Sequence, residues 1–292
     1  MAAVNFGFAA TAFRSRLFCL AVTVLWMATL ATHASAGIIV FEAAGANPAS
    51  ITPTRDAFRT AVGGGSVAGA AGDFGGVRRE INWDGVPAGF SDPTLLPNNF
   101  FNVNSPRGAV FSAPGGTGVF VSANAGGATA PLFGFPNDFQ AFSSQKLFAT
   151  VGTNILDVRF FVPGTSIQAT TSAFAAIFVD AETDTAGSFT NFEFFDLQDS
   201  LIFSRHVLPA GNQGLSFLGG VADAGERIAR VRITTPNNFL LSNGMIDNPD
   251  NDLVVMDDFL YATPQAVPEP GTVGLLGLGG LIICIARRKF VA

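Results

Sequence analysis

Hydrophobic and polar residues alternate with a period of two through the second half of the chain. Ile155, Asp157, Arg159 and Phe161 fall on one face of a strand, and Leu156, Val158, Phe160 and Val162 fall on the other. Residues 228–233 set Ile228, Arg230 and Arg232 against Ala229, Val231 and Ile233. Residues 189–196 alternate too, but with aromatic rings on both faces: Phe189 and Phe195 on one, Phe192 and Phe194 on the other. The run 173–179 is almost wholly apolar, as a central strand covered on both sides should be. Further strands are expected over 200–207, 215–221 and 253–261, and earlier over 37–42, 78–83, 110–111 and 119–121, with 139–148 leading into 155–162.

Only residues 54–62 carry a helical spacing in this body, with Phe58 and Val62 at i and i+4 and Thr52 or Thr54 as caps. Residues 63–76 are rich in Gly and Ala and read as a loop or insert, and 84–106 as a long ordered loop whose Phe90, Phe100 and Phe101 need burial. A last long loop covers 236–252. About ten short strands between loop signals predict an all-β fold: an antiparallel β-sandwich of jelly-roll type with one short helix, occupying residues 37–265.

The two ends break this pattern. Arg14 and Arg16 precede the apolar run 17–30, and Ala34-Ser35-Ala36 forms an A-x-A cleavage site. Residues 1–36 therefore read as a signal peptide, cut by signal peptidase so that the mature chain starts near Gly37. At the other end, Val267-Pro268-Glu269-Pro270 precedes an uncharged run over 271–286 and the basic Arg287-Arg288-Lys289. The two prolines hold the tripeptide extended and remove two donors, which suits a groove-shaped recognition site. The uncharged run is expected to be a transmembrane helix of roughly 24 Å, short of the ~30 Å hydrocarbon core. Tilt and snorkelling by the basic end cover the deficit, and that end stays cytoplasmic.

The order of these three parts over residues 267–292 resembles the C-terminal sorting signal of PEP-CTERM proteins. The resemblance implies recognition by an exosortase-type membrane protease in a Gram-negative bacterium, with cleavage near Pro270. It further implies an inner-membrane-anchored precursor that ends at the cell surface or in the extracellular matrix. A block in the body, Arg79-Glu80-Ile81-Asn82-Trp83-Asp84 with Pro97-Asn98-Asn99 and Ser105-Pro106-Arg107, resembles uncharacterised exported proteins of the same kind and implies no activity.

Setting the ends aside changes the inventory. Cys19 and Cys284 lie in the two signals, so residues 37–269 hold no cysteine, which excludes disulfides and thiol chemistry there. His33 leaves with the signal peptide and His206 remains, as a surface or packed residue rather than a base. Lys146 is the one lysine of the body. Eleven Lys and Arg face 22 Asp and Glu, a charge of about −11 that disfavours nucleic acid.

The candidate chemistry is acidic. Asp180, Glu182 and Asp184 alternate after an apolar strand, and Asp247, Asp250, Asp252, Asp257 and Asp258 form a second group. Oxygen ligands of this kind suit Ca²⁺, although neither group follows the EF-hand spacing. Glu42 and Asp258 also resemble the pair that holds a structural Ca²⁺ between adjacent first and last strands in carbohydrate-binding jelly rolls. Trp83, Asp84, Asn99 and Arg107 have the composition of a sugar platform, with an aromatic face and polar edges; the other reading makes Trp83 a core residue of a strand and Arg107 the pin of a loop carboxylate. Glu80 with Asp84, or Glu182 with Glu193, are the paired carboxylates a glycosidase would need. The reading as a whole is a non-catalytic glycan-binding or structural module, with extracellular polysaccharide as partner. The alternative is an extracellular glycan-acting hydrolase.

Overall fold

The computed structural model of the chain describes residues 37–126, 129–182, 188–243, 246 and 252–267. The expected signal peptide with Ala34 and Ala36, the expected transmembrane helix, Asp184, Asp247, Asp250, Pro268, Glu269, Pro270, Arg287, Arg288 and Lys289 lie outside these residues. Among the described residues no helix is long and apolar enough to cross a membrane.

In chain order the strands are β1 (Ile38–Gly45), β2 (Asp73–Phe74), β3 (Arg78–Ile81), β4 (Ala109–Ser112) and β5 (Gly118–Val121). Next come β6 (Phe148–Val151), β7 (Ile155–Phe161), β8 (Gln168–Thr170), β9 (Ala173–Val179) and β10 (Asn191–Phe195). The series ends with β11 (Leu201–His206), β12 (Leu215–Ala222), β13 (Arg230–Thr234), β14 (Val255–Ala262) and β15 (Gln265–Ala266). They pair antiparallel into two sheets. The first has the order β1-β12-β9-β14-β3-β2, with β6 also on β14 and β5 on β6; the second has the order β11-β10-β13-β7-β8-β15, with β4 on β7.

The sheets face each other across one aromatic core. Phe174 and Tyr261 of the first sheet meet Phe160 and Phe192 of the second at 5.7–6.0 Å between ring centres. The first sheet is buried on its other face as well, under a second apolar cluster that includes Ile51, Phe58, Phe133 and Phe139. This double cover is why β9 is apolar throughout: Phe174, Ala176 and Phe178 enter the inter-sheet core, and Ala173, Ala175, Ile177 and Val179 enter the outer one. The second sheet has one wet face, so β7, β10 and β13 alternate.

The helix of the outer layer, α1 (Pro48–Val62), is longer than the expected 54–62. Pro48 at the helix start is pre-set in φ, and Pro53 near that end costs one backbone bond without stopping the helix. Neither Thr52 nor Thr54 is the cap. Thr52 instead bonds back to the Pro48 carbonyl at 2.8 Å. Phe58 reaches the sheet because Gly219 of β12 has no side chain: a Cβ there would lie 2.9 Å from the Phe58 ring.

Two further segments have their form set locally. Of the segment 139–148, only Phe148 is in a strand, because the Phe142 N–H and Ser143 hydroxyl are taken by carboxyl groups of β14. In the long loop 84–106, Phe100 and Phe101 are buried by a single helical turn, α2 (Phe100–Val103).

Candidate functional site

Trp83 is not a surface platform. It is 1% exposed, stacks on Phe148 at 4.2 Å and meets Phe101, Phe111 and Phe259 at 5.1–5.6 Å. Its indole N–H donates to the Asp257 carbonyl at 2.7 Å. An indole in a short turn after β3 points inward because the largest apolar surface of the body gains most from burial. Of the other members of the expected platform, Arg107 lines a groove of about 230 Å³ with Trp83, and Asp84 and Asn99 do not line it. Asn99 is exposed at the start of α2. Arg107 lies over the Phe101 ring and donates through Nε to the Glu80 carbonyl at 2.9 Å, holding the loop to β3. Asp84 accepts the Lys146 backbone N–H at 3.1 Å.

Lys146 is a feature that composition left undefined. The one lysine of the body is fully buried, and its ammonium donates to the Val86 carbonyl and, at 2.9 Å, to the Ser91 hydroxyl. Burial pulls its pKa down, opposed by the Asp84 carboxylate. A lysine in sequence usually marks a wet surface; only the loop wrapped over it shows otherwise.

The Ca²⁺ pair expected between the first and last strands is not assembled. β1 pairs with β12, β12 with β9 and β9 with β14, so two strands separate Glu42 from Asp258. Glu42 instead pairs with Arg205 of β11, bridging the edges of the two sheets at 2.6 Å. Asp258 and Asp257 sit where the β14–β9 register shifts, and both are buried. The Ser143 hydroxyl bridges them at 3.1 and 2.8 Å, and Asp257 accepts the Phe142 N–H at 2.6 Å. Burial pushes Asp257 well above the usual carboxylate range, and the neighbouring Asp258 adds to this.

Asp180, Glu182 and Asp252 do converge. Asp252 accepts the Glu182 N–H at 3.3 Å, and Asp180 accepts the Gln213 N–H at 2.8 Å. Burial raises Asp180 to about 7, helped by Asp252, Glu182 and Asp138, and raises Asp252 to about 6, helped by Glu182. Among the described residues no three His, Cys, Asp or Glu are arranged to hold a metal ion.

These raised carboxyls predict a pH effect. Unfolded aspartate ionises near 3.9, so the folded state binds the extra protons and its stability falls as pH rises from about 4 to about 7. The thermal midpoint is expected to be lower at pH 8 than at pH 5. Asp180→Asn should flatten this fall, and asparagine tolerates the left-handed backbone at 180 (φ 68°). A wild-type midpoint that rises from pH 5 to pH 8 would contradict the assignment.

Of the carboxylates paired in the hydrolase reading, Glu80 is engaged by arginines. Glu80 takes Arg59 through both oxygens at 2.9 and 2.6 Å and Arg78 at 2.7 Å. Arg78, 3% exposed, also donates to the Gly63 and Gly65 carbonyls and so fixes the glycine-rich loop against the end of α1. That loop and helix line an open groove of about 630 Å³ together with Phe74, and Asp56, Arg59, Thr60 and Ser66 are on its wall; the Arg78 guanidinium lies 4.5 Å over the Phe74 ring. Sequence composition marked this loop as an insert; the buried arginine that shapes it gave no signal. A smaller groove of about 350 Å³ runs along Glu42, Ser204, Arg205, His206 and Leu208. His206 stacks on Phe189 at 3.8 Å there.

The solved structures similar to this chain include a Streptococcus pneumoniae fucose binding module at 10% identity, covering 50% of this chain and 90% of that one, with a TM-score of 0.25. A second fucose binding module from that organism has 13% identity, 52% and 96% coverage and the same TM-score. A histidine mutant of the lectin binding domain of Lectinolysin, complexed with Lewis b, has 10% identity, 50% and 92% coverage and a TM-score of 0.24. The fold assignment rests on the strand pairing itself. No curated protein matches the chain. Residues 266–289 match the PEP-CTERM protein-sorting motif, so this β-sandwich is followed by the signal that marks exported proteins for exosortase.

Proposed function

We propose that the protein is a non-catalytic module of the cell surface or extracellular matrix, delivered by exosortase and acting through glycan binding or as structure. The sorting motif over 266–289 carries the delivery. The groove between α1 and the glycine-rich loop supports the binding. Carboxylate, guanidinium, hydroxyl and aromatic side chains line it together, a set suited to sugar hydroxyls and C–H faces. The fixed backbone around Arg78 favours a preformed site over one ordered at binding.

Sorting is tested in the native host. Deleting exosortase should leave the chain at full length in the inner membrane, read by intact mass and fractionation; unchanged processing would refute it. Binding is tested with the exported protein on a glycan array. Asp56→Ala should cut retention several-fold while moving the melting temperature little, because Asp56 is half exposed and its ion pairs with Arg55 and Arg59 are at the surface. An array with no signal would remove the glycan reading and leave the structural one.

A further inference from the structure

Gly37 opens the described chain beside the loop that follows β12 and makes hydrogen bonds with that loop. Its N–H donates to Glu226 Oε1 at 2.8 Å. Its carbonyl accepts the Asp223 N–H at 3.0 Å. The other Glu226 oxygen accepts the Ala224 N–H at 3.1 Å, which fixes the carboxylate in place. Asp223 lies beside the α-carbon: a Cβ at position 37 would lie 2.0 Å from Asp223 Oδ1, so a larger residue would displace that carboxylate. Two carboxylates thus meet one glycine whose nitrogen, in the unprocessed chain, is an uncharged amide.

We propose that Asp223 and Glu226 form a receptor for the α-ammonium that cleavage after Ala36 creates at Gly37, so that processing itself locks β1 to the edge of its sheet. The inference rests on the export reading, which places the signal peptidase cut at the A-x-A site. Hydrolysis adds water across the Ala36–Gly37 bond, leaving a carboxylate on Ala36 and an ammonium on Gly37. The nitrogen that gave one neutral hydrogen bond then carries a full charge and three donors against the same carboxylate. β1 is an edge strand whose backbone pairs with β12 alone among the described strands, so its start is a place where fraying would begin. Among the described residues the charged side chains placed at Gly37 are Glu226 and Asp223; Arg227 follows in sequence and is exposed. Glu226 is already poised: burial works against its charge, but its own N–H and those of Gly37 and Ala224 outweigh this and hold it below the usual range.

The test uses the full chain, exported and purified from a Gram-negative host. N-terminal sequencing comes first. A start at Gly37 is expected, and any other start overturns both the cleavage reading and the receptor. The α-amine is then titrated by its rate of acylation against pH, read by mass spectrometry on the N-terminal peptide. Buried Lys146 does not compete for the reagent. The Gly37 amine should titrate about one unit above the usual ~7.7–8.0, because an ion pair favours its charged form. Glu226→Gln should return it to that range, and Asp223→Asn should lower it by a smaller step. A correct Gly37 start with an ordinary wild-type titration overturns the receptor and leaves export standing. The wild-type profile decides the matter even where a variant fails to fold.

Discussion

Trp83→Ala is expected to destabilise the fold by about 3–5 kcal/mol, the range for removing a buried large aromatic. The side chain is 1% exposed and packs among four phenylalanine rings drawn from both sheets and the loops between them. Truncation leaves a cavity among Phe101, Phe111, Phe148 and Phe259 and removes the indole donor of the Asp257 carbonyl. That carbonyl belongs to the irregular step of β14, beside the buried Asp257 and Asp258 pair, so the loss spreads into the sheet. A domain of this kind has only some 5–15 kcal/mol in hand, and the variant should approach its unfolding threshold. Urea unfolding followed by far-UV circular dichroism measures the loss. Trp83→Phe should recover part of it. An unchanged midpoint would mean that Trp83 lies at a surface after all.

Asp157→Ala is expected to cost about 3 kcal/mol, although the residue sits on the polar face of β7. It is 5% exposed and takes Arg232 through both oxygens at 2.7 and 2.8 Å, with Arg230 at 3.3 Å. Removing one partner of a buried pair leaves a charge without compensation, at about 3–5 kcal/mol. The low end applies because Arg232 is a third exposed and Arg230 keeps Asp199 and the Phe195 ring. Arg230 and Arg232 alternate along β13, and the register places Arg232 directly opposite Asp157 and Arg230 opposite Arg159. Without the carboxylate, three guanidiniums crowd one patch. A double-mutant cycle with Arg232→Ala should show coupling above about 1 kcal/mol. A cycle that closes near zero would make this an ordinary surface pair.

Asp157 also shows where reading the sequence stopped. Alternation put Asp157 and Arg159 on one face of a strand and Arg230 and Arg232 on one face of another, and both placements hold. Nothing in either strand says that the two are neighbours, since 73 residues separate Asp157 from Arg230. Glu42 repeats the point more sharply. Its place on the first strand was legible, but the partner expected for it, Asp258, lies across two intervening strands, and its actual partner is on the opposite sheet. Trp83 stayed open between core and platform for a different reason. An aromatic residue flanked by Asn and Asp has the same local sequence whether it lines a sugar site or fills a core, and only the packing of Phe148 and Phe259 against it decides.

The sequence by itself determined what is local. It placed the strands by their period of two and marked β9 as covered on both faces by its unbroken apolar run. It also presented the sorting motif as consecutive residues, because such a signal is read as a linear peptide. The tertiary structure decided everything that depends on strand order and register. It set the order of β1, β12, β9 and β14, buried Lys146 under a loop, and gave Glu226 to the Gly37 nitrogen. A side chain's period fixes which way it points, but its partner, its burial and its charge state follow from residues brought close by the pairing of distant strands.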